Sequence, residues 1–187
     1  MFIQTEPTPN PATLKFIPGK TVLGDGTVDF RDKSEATASP LAQRLFGVDG
    51  VTGVFLGSDF ISVTKSEGDE WQHIKPAILG AIMEHYMSGA PTVDVGGTAG
   101  KEAAGDYDVK DEDTVKTIKE LLDTRVRPAV ANDGGDIVFQ GFKDGVVFLH
   151  MRGACSGCPS SSATLKAGVE NMLKHYVPEV TRVEQAL

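Results

Sequence analysis

Cysteine is nearly missing from this chain. Of 187 residues two are cysteine, and they stand at positions 155 and 158. So few thiols exclude a disulfide-stapled scaffold. With no basic n-region in Met1-Phe2-Ile3-Gln4-Thr5-Glu6-Pro7, they point instead to a reducing compartment and to metal or redox chemistry. Long apolar runs are missing too: none approaches the ~20 residues a membrane helix needs. Basic residues are outnumbered, 18 against 26 acidic ones, for a net charge of -8. Phosphate binding needs clustered Lys and Arg, so neither a nucleic acid nor an anionic membrane is an expected partner. What remains is an ordinary globular composition, 40% hydrophobic and 24% charged, in a length that allows one large domain or two small ones.

The pattern along the chain favours two. Pro7, Pro9 and Pro11 make an extended opening. Ala12 to Ile17 and Val28 to Phe30 read as strands. Ser39-Pro40 reads as an N-cap with Pro at the first helical position, and Leu41, Leu45 and Phe46 lie on one face of the helix after it. Val51 to Leu56 and Phe60 to Thr64 read as a hairpin joined through Gly57-Ser58-Asp59. A helix over Trp71 to Met87 is predicted from Ile74, Ile78, Ile82 and Tyr86, which recur four apart. Pro76 is expected near its first turn. Residues 88–110 then lose apolar periodicity and gain glycine, which predicts a flexible linker.

Beyond it, Asp111-Glu112-Asp113 suits a helix N-terminus. Val115, Ile118, Leu121, Leu122, Val126, Ala129 and Val130 form a helical stripe that Pro128 is expected to bend or end. Asn132-Asp133-Gly134-Gly135-Asp136 reads as a plain turn. Ile137 to Phe142 and Val146 to Met151 read as strands of a tight hairpin through Lys143-Asp144-Gly145. A helix over Thr164 to Tyr176 comes next, with Leu165, Val169, Met172 and Leu173 inward, and Val180 to Val183 is a candidate third strand. The expected fold is α+β: two small two-layer α/β domains joined by a flexible Gly-rich linker, with domains at 1–88 and 111–187 and the linker at 89–110.

The cysteines sit between the last hairpin and the last long helix, in Gly153-Ala154-Cys155-Ser156-Gly157-Cys158-Pro159-Ser160-Ser161. Unpaired N–H groups and the dipole at a helix start favour a thiolate over a thiol. Gly157 permits a tight loop, Pro159 suits the first helical position, and Ser160, Ser161 and Ser162 offer hydroxyls to sulfur or to the helix end. The bland alternative is two buried, inert cysteines.

Several chemistries fit a lone CxxC. A structural zinc site wants four ligands, and His73, His85, His150 and His175 make no partner spacing with the cysteines. Two chains related by a two-fold axis would supply four thiolates to one shared iron–sulfur cluster, or to one zinc ion. Such a site, expected to be exposed and held by two bonds per subunit, suits handing a cluster over rather than keeping it. A thioredoxin-like dithiol oxidoreductase is the alternative. Against it, 111–187 looks short for that fold, and Ala154 rather than Trp precedes the first cysteine. A nucleophilic cysteine enzyme lacks a histidine that can be placed as its base.

The cysteine segment, with Ala163-Thr164-Leu165-Lys166 after it and Arg127-Pro128 and Asp133-Gly134-Gly135-Asp136 before it, resembles the C-terminal domain of the NifU (Nfu) family. Thr8-Pro9-Asn10-Pro11-Ala12-Thr13-Leu14-Lys15-Phe16 resembles the start of the N-terminal domain of Nfu proteins. The resemblance implies an iron–sulfur cluster carrier and not an enzyme. It implies a [4Fe–4S] cluster bridging two subunits, with Cys155 and Cys158 as the metal ligands. The implied partners are a second copy of the chain (a homodimer through the cluster), apo iron–sulfur client proteins and an upstream assembly scaffold. With no transit character at the N-terminus, the expected location is a bacterial cytoplasm, with the mitochondrial matrix, as a mature protein, the alternative.

Overall fold

The computed structural model describes residues 1–94, 105–156 and 159–186, the backbone alone at 159–161. The chain divides into two compact units, Met1–Lys101 and Glu102–Leu187. Each is a sheet with helices on one face, so the mixed α/β fold class expected from the sequence is the one observed. Among the described residues no helix is long and apolar enough to cross a membrane.

In the first unit the strands are β1 (Gln4–Pro7), β2 (Thr13–Ile17), β3 (Val28–Phe30), β4 (Val51–Leu56) and β5 (Ile61–Lys65). They form one antiparallel sheet in the order β1-β2-β5-β4-β3. Strand side chains alternate between faces, and one face carries Phe16, Val54, Leu56, Ile61 and Val63, all buried. Helices α1 (Pro40–Phe46) and α2 (Trp71–Ser88) cover that face with Leu41, Leu45, Ile74, Ile78 and Ile82. Ser39 caps α1 as predicted: its Oγ accepts from the Ala42 N–H at 3.1 Å. Pro76 lies one turn deeper than expected, in the second turn of α2. Its missing N–H removes the i+4 donor to the Gln72 carbonyl, and both residues are exposed.

The stretch expected to be a linker has structure at both ends. Gly89 ends α2 in the left-handed region, at φ 68°. The Asp94 N–H then donates to the Ala38 carbonyl at 2.8 Å, and Ser39 Oγ donates to the Thr92 carbonyl at 2.6 Å. Residues 95–104 lie outside the described residues. At the far end, β6 (Asp106–Tyr107) joins the second sheet.

The second unit continues with α3 (Glu112–Leu121), a π-helical turn (Leu122–Val126), α4 (Arg127–Asn132), β7 (Gly135–Lys143), β8 (Val146–Gly153), α5 (Pro159–Tyr176) and β9 (Arg182–Gln185). The sheet order is β6-β7-β8-β9, with the β7–β8 hairpin antiparallel and both edge strands parallel to their neighbours. The hairpin turns through Asp144 at φ 51° and Gly145 at φ 78°, the pair of positive φ values that a two-residue turn requires. Pro128 neither ends the helix nor breaks it. The preceding turn widens instead, the Arg127 N–H reaching the Leu122 carbonyl five residues back, and this makes room for a ring that would strike a normal turn. Val115, Ile118, Leu122, Val126 and Val130 thus stay on one face, against Ile137, Leu149, Met151 and, from α5, Val169 and Leu173. The last strand runs two residues later than predicted. It is tied to α5 through Glu170, whose Oε2 accepts from the Val183 N–H at 3.1 Å.

One buried polar group stands out in the first unit. His85 on α2 is 1% exposed, and neither ring nitrogen has a hydrogen-bond partner among the described residues. Burial, and then the charge of Arg44, hold its pKa below the ordinary 6.5. The unfolded chain therefore takes up this proton before the folded one does. The contribution to stability is whole above that value and declines as pH falls through it. Trp71, the single tryptophan, donates its indole N–H to the Pro11 carbonyl and so reports on this unit. We expect the urea midpoint followed by Trp71 fluorescence to fall between about pH 7.5 and about pH 5.5, and His85→Leu to flatten that decline. An equally steep decline in the variant would assign the effect to other groups.

Candidate functional site

The cysteine turn is built where the β7–β8 hairpin closes at its open end. Gly135, the first residue of β7, pairs with Gly153, the last of β8. Gly153 has φ 63°, a conformation that side chains resist, and it swings the chain out of the strand. Three hydrogen bonds hold the turn beyond it. The Ala154 N–H donates to the Gly134 carbonyl at 3.2 Å. The Ser156 N–H and its Oγ both donate to the Gly153 carbonyl, at 3.0 and 2.9 Å. Helix α5 then starts at Pro159, the proline the sequence placed at a first helical position.

Cys155 faces inward from this turn. It is 6% exposed and belongs to the core that includes Met151 and Val169. A Cβ added at Gly135 would stand 2.6 Å from Cys155 Sγ, 2.7 Å from the Arg152 carbonyl oxygen and 3.1 Å from the Cys155 nitrogen. The start of β7 therefore serves as the floor on which the thiol rests. The helix start was expected to favour a thiolate. Here desolvation outweighs it, reinforced by the negative charges of Asp133 and Asp136, and the Cys155 pKa is pushed up to about 12. A thiol with that pKa is protonated near neutrality, so a metal binding to it displaces a proton. Cys158, the other expected ligand, lies outside the described residues, as do the side chains of Ser160 and Ser161.

Of the expected turn Asn132 to Asp136, only Asp133 and Gly134 turn; Asn132 ends α4, and Gly135 and Asp136 already belong to β7. Asp136 is 3% exposed and forms a forked ion pair with Arg127. Arg127 Nε donates to Oδ1 and Nη2 to Oδ2, both at 2.9 Å. Oδ1 also accepts from the Ile137 N–H at 2.8 Å. Arg127 Nη1 donates further, to Asp123 at 3.1 Å. Sequence reasoning missed this pair. Its signal was an Arg and an Asp nine residues apart, with no periodicity to join them. The histidines belong to elements other than the cysteine turn. His150 is on β8 opposite Val138, His175 is in the last turn of α5, and His73 and His85 belong to α2. Among the described residues no group of three or more His, Cys, Asp or Glu side chains is placed to hold a metal ion.

Two family models match, one described as the scaffold protein Nfu/NifU N terminal, over residues 3–89, and one as a NifU-like domain, over 118–184. NifU-like protein 5, mitochondrial, of Arabidopsis thaliana is 54% identical over 188 residues, covering 99% of this chain and 68% of that protein. This chain belongs to the Nfu/NifU family. The NFU1 iron-sulfur cluster scaffold homolog, mitochondrial, of Drosophila sechellia is 56% identical over 187 residues, again 99% of this chain. This family member spans 65% of that relative's length. The solution NMR structure of a NifU-like protein from Saccharomyces cerevisiae is similar at 26% identity and a TM-score of 0.46, covering 51% of this chain and 86% of that one. These names correct one expectation. The bacterial cytoplasm was read from the first residues of the sequence, whereas the relatives from Drosophila and Arabidopsis are named mitochondrial. The alternative location is the one that agrees.

The floor under Cys155 predicts the effect of filling it. Gly135→Ala should destabilise the second unit by roughly 1–3 kcal/mol, the usual cost of overpacking. In a Cys158→Ser background it should also expose Cys155 to a thiol reagent in the native state. Thermal melts and the rate of native-state thiol labelling measure the two effects. A variant with unchanged labelling would show that the contact does not hold the cysteine.

Proposed function

We propose that this chain is an iron–sulfur cluster scaffold and carrier. The observation that carries the reading is the pair of cysteines at CxxC spacing in the NifU-like half of the chain, with Cys155 on a turn locked between a sheet and a helix start. The names of the relatives support it. Cys155 and Cys158 are half a ligand set. Two chains complete it as a homodimer around one [4Fe–4S] cluster, since such clusters are held by four thiolates. The cluster is cargo. It leaves by ligand exchange, a client's thiolates replacing Cys155 and Cys158 on iron, so no covalent turnover by the chain is needed and the protein is not an enzyme. The partners are an upstream assembly scaffold and apo iron–sulfur proteins in the mitochondrial matrix; the acidic surface suits neither nucleic acid nor membrane. In this reading the second unit carries the cluster and the first docks partners.

The dithiol oxidoreductase alternative is weaker. An attacking thiol must be accessible and of lowered pKa, and Cys155 is neither.

Anaerobic reconstitution with iron and sulfide tests the proposal. About two irons and two sulfides per chain, together with a doubling of mass in solution, is the expected result for a bridged four-iron cluster. Cys155→Ser and Cys158→Ser should each abolish stable binding. A Cys155→Ser protein that keeps a full cluster would sink the ligand assignment. Metal analysis showing zinc without sulfide would replace the cluster with a zinc-bridged dimer.

A further inference from the structure

We propose that the Arg127–Asp136 ion pair is a positioning device for Cys155, clamping the start of β7 so that the cysteine turn stays closed. This deepens the carrier reading and rests on it for its meaning: a clamp on a ligand's turn sets how readily cargo is released.

The geometry is that of a short lever. Asp136 comes directly after Gly135, and Gly135 is the floor beneath Sγ. The Asp136 carboxylate is tied at three points: two guanidinium nitrogens and the N–H of Ile137. The strand start therefore cannot rotate without breaking charge-assisted hydrogen bonds in a partly buried place, where each is stronger than in water. Across the hairpin, Asp136 pairs with Arg152 and Gly135 with Gly153, so the same two residues set the point from which the turn departs. Gly134, just before them, accepts the Ala154 N–H. The turn thus hangs on three consecutive residues, and the ion pair anchors the third.

Arg127 is itself placed by the helix. The π-helical turn ahead of it, and Pro128 after it, determine where its side chain leaves the helix. A bond to Asp123 steadies the guanidinium on its other side. Helix, strand and cysteine turn are joined through one planar fork. Arginine suits this role where lysine does not, because the forked geometry holds the carboxylate against rotation as well as translation. Arg127 also supplies the positive charge that offsets Asp136 beside a site meant to hold thiolates.

The test uses the full chain as Arg127→Gln, Arg127→Lys and Asp136→Asn, read by residue-resolved amide hydrogen exchange. The turn amides are Ala154 and Ser156. The controls are Thr181, which donates to the Gly145 carbonyl, and Val183, which donates to Glu170, both at the opposite end of the hairpin. We expect Ala154 and Ser156 to exchange about tenfold faster or more in Arg127→Gln, the factor implied by losing a charge-assisted pair. The controls should stay at their wild-type rates. Arg127→Lys should fall between, since it keeps the charge and loses the fork. Equal acceleration at turn and control amides would mean that the pair only stabilises the unit, and unchanged turn amides would mean that it does not hold the turn; either overturns the proposal. If Arg127→Gln does not fold, Arg127→Lys and Asp136→Asn decide by the same comparison. A second readout, the half-life of the reconstituted cluster under a chelator, should shorten in the variant with the faster turn amides. A wild-type chain that takes up no cluster would remove the carrier reading, while the exchange rates would still decide the clamp.

Discussion

Gly135 comes so close to Cys155 that a single added carbon would overlap sulfur and carbonyl oxygen alike. The layout of the second unit depends on that approach. The hairpin must run right up to the glycine pair to bring Gly135 under the thiol, and it does: β7 and β8 extend beyond their apolar stretches to Gly135 and Gly153. The helix before β7 must end close enough for its last turns to reach the strand start. A widened turn makes this possible without losing the stripe of Val115, Ile118, Leu122, Val126 and Val130. Helix α5 then begins four residues after Cys155, so the turn has little slack.

Electrostatics at the turn oppose each other. A helix start draws negative charge; burial and two carboxylates repel it. The balance at Cys155 goes to burial, because stripping water from a thiolate costs more than a few helix N–H groups return. A buried carboxylate in such a place would be costly by itself. Asp136 is tolerated because Arg127 meets both its oxygens. The chain therefore holds a thiol protonated in the core, on the floor that Gly135 makes at the rim of a sheet. Under the carrier reading, such a thiol gives up its proton when metal arrives and regains it when cargo leaves.

The first unit is simpler in design. Its five antiparallel strands need only a one-sided apolar alternation and two covering helices; both helices and four of the strands were visible in its residues, while β1 was not read as a strand. Its departures from that pattern are few. One is Pro76, an exposed proline inside α2. Another is His85, whose buried ring has no hydrogen-bond partner among the described residues and lies on the face of α2 that carries Ile74, Ile78 and Ile82. Burial lowers the pKa of His85, so the ring couples the stability of this unit to pH.

Much of this protein was legible in its sequence because the signals are local. Serine and proline at 39 and 40 start a helix through contacts within four residues. Ile74, Ile78 and Ile82 share a face by helical geometry alone. Asp144-Gly145 turns a hairpin because its backbone tolerates positive φ. Two cysteines at CxxC spacing, with proline directly after them, announce a turn into a helix start, and the helix does begin at Pro159. What the sequence did not carry is what joins distant segments. The ion pair of Arg127 with Asp136 and the parallel edge strands β6 and β9 depend on which backbones the fold brings side by side, and no local period encodes that. The state of Cys155 was decided the same way. By itself the sequence determined that a thiol stands at a helix start; tertiary structure decided that it is buried on Gly135 beside two carboxylates, because burial and charge are properties of the surroundings and not of the residue.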